Sequence, residues 1–233
     1  SARSSPVPPQ PSPPPVPEQP RARTSLIETV RVRGGRAPLW PLHLDRLHRS
    51  AAALGYTVPP DPAPPSGGGD RVCRLEFASR ARLLVTERQV EEVSGLRLRT
   101  SPVPHRGYRH KTTNREWLDA GRLDAVTRGG DDALFPSADG WVAESSIWSL
   151  FWWEGGEVAA PPLELGVLPG VARARLVEVL GGVREGLLPV AALAMHGGFA
   201  ANAARGVVPL VEVDGVQVLP NRGLVALQEA FWP

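Results

Sequence analysis

The chain has 233 residues, 42% of them hydrophobic and 21% charged, which is enough to bury a globular core and too apolar for a disordered chain. Its formal net charge is only +2, with basic residues scattered and no arginine run interleaved with aromatics, so nothing points to nucleic acid. One cysteine, Cys73, rules out an intrachain disulfide, and no apolar run reaches membrane-spanning length.

Residues 1–23 are mostly proline, serine and charged side chains, with no apolar signal-peptide core. Such a segment has little to bury and favours extended conformations, so it reads as a disordered leader, the alternative being a proline-rich ligand for a partner domain. The protein is expected to be cytoplasmic. Order is expected from residue 24. Leu26 to Arg33 is β-prone, Gly34-Gly35 reads as a hairpin turn, and Arg36 to Trp40 as the return strand. Leu42, Leu44, Leu47, Ala51 and Leu54 then recur at helical spacing, with Gly55 as the stop. His43 and Arg46 share a face of that helix. His43 reads as a packed or capping histidine.

A Pro/Gly-rich loop, 57–70, leads to strands at Val72 to Phe77, Ala81 to Glu87 and Leu96 to Thr100. Residues 24–100 therefore read as a small α/β domain and 101–110 as an interdomain connection. Residues 111–233 read as the larger domain. It opens with a helix ending at Gly129-Gly130, followed by hairpins turning at Asp139-Gly140 and Gly155-Gly156. A helix starting near Val171, strands around Asp214-Gly215 and a last helix near Gly223 to Phe231 complete it.

Lys111, in RHKTTNR, is the only lysine; every other cationic side chain of that kind is arginine. Arginine cannot lose its proton in a protein, whereas a lysine amine can attack an aldehyde. Lys111 is thus a candidate reactive amine, the plain alternative being a surface lysine.

The order of LIETVRV, LHLDRLHRSAAALG, RHKTTNR, DDALFPSADGWVAESS, LPGVARARL and NAARGVVPL resembles the class IV (fold type IV) pyridoxal-phosphate enzymes. That family includes branched-chain and D-amino-acid aminotransferases and 4-amino-4-deoxychorismate lyase. RHKTTNR and NAARGVVPL look closest to the lyases. The resemblance implies a two-domain α/β (α+β) fold with a barrel-like larger domain, a bound pyridoxal 5'-phosphate, a small-molecule substrate, a homodimer and no metal.

It also implies site residues. Lys111 would bind the cofactor and shuttle protons, and Glu144 would face the pyridine nitrogen. Arg46 would hold the phosphate with the backbone N–H groups of Val171 and Ala172 and the turn at Asn202 and Ala203. Thr29 could relay a proton, Arg31 could meet a substrate carboxylate, and Tyr108 and His110 would line the pocket. Trp148, Trp152 and Trp153 read as packing residues. The chain departs from the family in three places: Ala172 replaces a threonine, Ser149 replaces an asparagine, and the usual N-terminal strand is missing. The leading expectation is a lyase that releases pyruvate and forms 4-aminobenzoate for folate synthesis. The alternatives are an aminotransferase for branched-chain or D-amino acids and a cofactor-free accessory protein on the same scaffold.

Overall fold

The computed structural model describes residues 24–78 and 82–233. The proposed leader, 1–23, lies outside the described residues. The first strand, β1 (Leu26–Val32), ends in the expected turn: Arg33 and Arg36 exchange backbone bonds of 2.8 and 3.0 Å, and Gly34 and Gly35 both take positive φ. The expected return strand does not form. Pro38 offers no N–H to a ladder, and Pro41 sits in the first turn of a helix, α1 (Trp40–Leu54), where its missing N–H costs nothing. Gly55 ends α1 in the left-handed conformation, as expected.

The partner of β1 comes from beyond the 57–70 loop. β2 (Arg71–Ala78) and β3 (Arg82–Arg88) complete an antiparallel sheet in the order β1-β2-β3. Trp40, Leu47 and Ala51 of α1 pack on Leu26, Val30, Leu75 and Phe77 of this sheet.

Leu96–Thr100 forms the expected strand, β4, and it joins a second sheet. It lies parallel to both β5 (Asp132–Pro136) and β11 (Gly206–Val213). Between them in the chain run β6 (Val142–Ser145), β7 (Ser149–Glu154), β8 (Glu157–Ala160), β9 (Arg184–Glu185) and β10 (Phe199–Asn202). The second sheet has the order β6-β5-β4-β11-β10-β7-β8-β9, with β12 (Val216–Gln217) on β11. It curls into a half-barrel of the fold type IV kind. Parallel strands need a crossover, and the β4-to-β5 crossover carries residues 101–115 and helix α2 (Glu116–Thr127). Lys111 therefore sits in a crossover, not on a strand.

β7 is buried on both faces. Leu150 and Trp152 join one core with Leu98, Leu134 and Leu210, while Phe151 stacks on Phe199 in a second core. Helices α3 (Val171–Leu180) and α4 (Gly223–Ala230) cover that second face through Leu176 and Leu227. No helix of the described residues is long and apolar enough to cross a membrane.

Helix α2 approaches the sheet through a glycine. A Cβ at Gly121 would lie 2.4 Å from Cζ of Phe135, a ring that is fully buried and edge-on to Trp117 at 4.9 Å. Gly121→Ala should therefore destabilise the fold by roughly 1–3 kcal/mol despite alanine's better helix propensity. Thermal unfolding of the variant would show it as a lower midpoint.

Candidate active site

The segment around Lys111 is fixed through its backbone, which leaves the amine free to point elsewhere. Ile27 N–H donates to the Lys111 carbonyl at 2.8 Å, and Thr113 N–H donates to the Ser25 carbonyl at 2.9 Å. Ser25 N–H returns a bond to Thr113 Oγ1 at 2.9 Å. The hydroxyl of Tyr108 donates to the Thr112 carbonyl at 2.6 Å and accepts from Thr112 N–H at 2.9 Å. Burial pushes the Tyr108 phenol pKa up, so it stays protonated and keeps that donor. His110 turns the other way, its Nδ1 3.2 Å from Ser50 Oγ on α1.

Lys111 is half-buried in the wall of the site, and this sets its acidity. Burial, reinforced by the guanidinium groups of Arg46 and Arg115, lowers its pKa from 10.5 to about 7. At neutral pH a large fraction of the amine is therefore free base, the form that attacks carbonyls or takes protons.

Beneath the lysine lies a buried charge network. Arg46 donates through Nε to Glu28 Oε1 at 3.0 Å and through Nη2 to Glu28 Oε2, while His43 Nδ1 lies 2.6 Å from Oε2. Burial alone would raise the Glu28 carboxyl, but Arg46 and His43 outweigh it and hold the pKa at about 2. Burial lowers the His43 pKa. A neutral imidazole beside an ionised carboxylate must carry its proton on Nδ1 and donate it.

Glu144, on β6, is held from two sides. His105 Nε2 is 2.9 Å from its Oε2, and Leu168 N–H reaches Oε1 at 3.3 Å. The Leu168 loop then enters α3 through Gly170. A Cβ at Gly170 would lie 2.8 Å from Ser149 Oγ, so a larger residue there requires the Ser149 hydroxyl or the helix start to shift. Opposite, Asn202 Oδ1 accepts from Ala204 N–H at 3.0 Å and Arg205 N–H at 2.8 Å, which closes the β10–β11 turn.

One cavity of about 540 Å³ connects these parts. Lys111, Arg46, Glu144, Thr29, Tyr108, Val171, Ala172, Asn202 and Ala203, all singled out in the sequence, line it. Arg31 and His110 do not. Arg31 is taken by Asp70 at 3.0 Å and by the Ala204 carbonyl at 3.3 Å, and His110 by Ser50. Trp152 is fully buried core, as expected, whereas Trp148 both packs and lines the cavity. Sequence reasoning missed Glu28 and His105. Glu28 had a signal: it shares a strand face with Leu26, Val30 and Val32, where a lone carboxylate needs a buried partner. His105 sits in an aperiodic segment and had none.

A sequence model described as amino-transferase class IV matches residues 77–213, more than half of the chain. The chain belongs to the class IV aminotransferases. No curated protein sequence matches. Among solved structures, a candidate amino-acid aminotransferase from Mesorhizobium loti is 27% identical, with a TM-score of 0.73 over 82% of this chain and 100% of that one. A branched-chain aminotransferase from Thermoproteus uzoniensis, solved with norvaline, is 21% identical with a TM-score of 0.77, covering 89% and 84% of the two chains. A candidate 4-amino-4-deoxychorismate lyase from Legionella pneumophila is 22% identical with a TM-score of 0.73, covering 87% of each.

Class IV aminotransferases depend on pyridoxal phosphate. The donor set fits that group. A deprotonatable amine, a carboxylate held by two donors, a guanidinium and a ten-residue helix that starts at the cavity wall through a glycine all face one space. Ala172 removes a hydroxyl donor but keeps its backbone N–H at the helix start.

The lysine also affects stability. Its folded pKa is about 7 and its unfolded value 10.5, so between those limits the unfolded chain binds more protons and stability rises with pH. Below about 7 the folded state bears the full cost of a buried charge. Lys111→Met should therefore stabilise the cofactor-free protein at pH 6 by on the order of a few kcal/mol, at about 1.4 kcal/mol per pH unit of the window. Denaturant titrations at several pH values should show the gap closing towards pH ~10.

Proposed function

We propose that the protein is a pyridoxal-phosphate-dependent 4-amino-4-deoxychorismate lyase that releases pyruvate and forms 4-aminobenzoate. The observation that carries the enzyme reading is the convergence of Lys111, Glu144 and Arg46 on one cavity, from segments far apart in the chain. The lyase assignment is supported by the lyase-like RHKTTNR and NAARGVVPL segments and by the similarity to the Legionella protein.

Each residue has a defined task in this reading. Arg46 and the N–H groups of Val171 and Ala172 hold the phosphate, with the Asn202–Ala203 turn closing its other side. Glu144, kept in place by His105 and Leu168 N–H, faces the pyridine nitrogen and keeps it protonated. When bound, the cofactor supplies an electron sink for charge left on the substrate carbon. The Lys111 amine takes the proton from the amine-bearing ring carbon. The enolpyruvyl C–O bond breaks, the ring becomes aromatic, and protonation of the departing enolpyruvate balances the proton removed. Thr29, on the cavity wall, relays the proton. Two copies act together in this reading, and the adjacent exposed Leu83, Leu84 and Val85 of the edge strand β3 are a surface that a second copy would cover.

Purified protein with added pyridoxal phosphate should release pyruvate from 4-amino-4-deoxychorismate, read with a coupled dehydrogenase. Lys111→Ala should lose the visible cofactor band and on the order of 10³-fold in rate, the scale of a lost general base. No pyruvate from a protein that carries the band would sink the lyase assignment. The similarity to the Thermoproteus uzoniensis enzyme motivates the second reading, an aminotransferase for branched-chain or D-amino acids. Loss of the visible band on adding such an amino acid would favour it.

A further inference from the structure

The cavity holds more positive charge than the cofactor needs. Seven cationic side chains line it against three carboxylates. Arg46 is matched by Glu28, Arg115 by Asp119 at 3.0 Å, and Glu144 by His105. That leaves Arg74, Arg88, Arg122 and Arg205, with Glu91 as the one lining carboxylate still to be shared.

These four arginines come from both sheets and from a helix. Arg74 is on β2 and Arg88 on β3, Arg122 is on α2, and Arg205 is in the turn between β10 and β11. Arg205 is the most fixed: its side chain is 8% exposed, it bonds the Glu91 carbonyl through Nε at 3.2 Å, and it lies over the Trp148 ring at 5.8 Å. Its Nη2 also pairs with the Glu91 carboxylate, while Arg88 is only loosely held by that group at 3.8 Å. Arg74 pairs with Glu76 of its own strand at 2.7 Å. Among the described residues, Arg122 has no ion pair. Burial, then the charge of Arg88, lowers the Arg205 pKa; Glu91 acts in the opposite sense and Arg122 adds to the lowering. Like charges gathered at a cavity wall lower the stability of the empty protein and favour an anion there. Guanidinium groups suit carboxylates because their planar donors bind both oxygens.

We propose that Arg74, Arg88, Arg122 and Arg205 form a rim that recognises a second carboxylate on the substrate, remote from its amine, so that the site selects dicarboxylates over aliphatic monocarboxylate amino acids. This deepens the lyase reading and rests on it for the position of the reacting end, since the substrate proposed there carries a ring carboxylate and an enolpyruvyl carboxylate.

The test is equilibrium binding to the cofactor-loaded protein. The probes are chorismate, a dicarboxylate without an amine, and benzoate, a monocarboxylate, followed by calorimetry. Chorismate should bind at least about tenfold more tightly than benzoate. Arg122→Ala and Arg74→Gln should each weaken chorismate by about tenfold and benzoate by less than about twofold. Neither should change the affinity for pyridoxal phosphate. Arg122→Ala strands no carboxylate, so its fold is the safer one to test. Equal affinity for the two probes would overturn the rim, as would chorismate binding unchanged in both variants. A loss of cofactor affinity in either variant would also overturn it by giving those charges to the phosphate. Tight dicarboxylate binding without pyruvate release would keep the rim and remove the lyase; pyruvate release with unaffected variants would do the reverse.

Discussion

A half-buried amine next to two guanidinium groups is the constraint on which the site depends. Left to solvation, Lys111 would move to the surface, because burying its charge is unfavourable and Arg46 and Arg115 add repulsion. The chain prevents this through the backbone. The Lys111 carbonyl is bound by Ile27 and its neighbour Thr112 is clamped by the Tyr108 hydroxyl, so the side chain cannot leave without breaking ordered hydrogen bonds. The amine relieves the cost by giving up its proton, and that is the property an amine nucleophile needs.

The repulsive side is balanced by Glu28. It is the carboxylate that Arg46 and His43 share, and it also acts on Lys111 in the opposite sense to the guanidiniums. Without it, Arg46 would be an unmatched buried cation within range of the lysine, a far costlier arrangement than the ion pair itself. His43 has a narrower part. Neutral and donating through Nδ1, it fixes the carboxylate plane that Arg46 meets with two donors, and it leaves Nε2 buried with no hydrogen-bond partner among the described residues. α1 and β1 are therefore held together by this charge cluster set among the apolar contacts of Leu26, Val30, Leu47 and Ala51.

Local chemistry in the sequence made much of this legible. The Gly55 stop of α1, the turns at Asp139-Gly140 and Gly155-Gly156, and the starts of α3 and α4 all depend on residues within a few positions of each other. What depended on distant partners was not legible. Arg36 to Trp40 reads as a strand, yet Pro38 within it, Pro41 just after it and the approach of β2 from beyond the 57–70 loop leave it no ladder. Leu96–Thr100 reads as a strand in either sheet, and only its parallel partners decide which. Arg31 shares a strand face with Thr29, but an arginine reaches several ångströms from its Cα, and Asp70 with the Ala204 carbonyl captures it before it meets the cavity. Alternation gives the face of a strand, not the end-point of a long side chain.

The two substituted positions near the start of α3 show how such a site tolerates side-chain loss. Ser149 packs within van der Waals reach of Gly170, so the approach of β7 to the helix is fixed by a small side chain meeting a residue with none. Ala172 is buried and lines the cavity. The first N–H groups of a helix have no intrahelical partner whatever side chains they carry, so an anion site made of them survives the loss of a hydroxyl. Glycine at 170 is less freely replaced, because a Cβ there meets Ser149 Oγ at 2.8 Å and either that hydroxyl or the helix start beside the proposed phosphate position must give way.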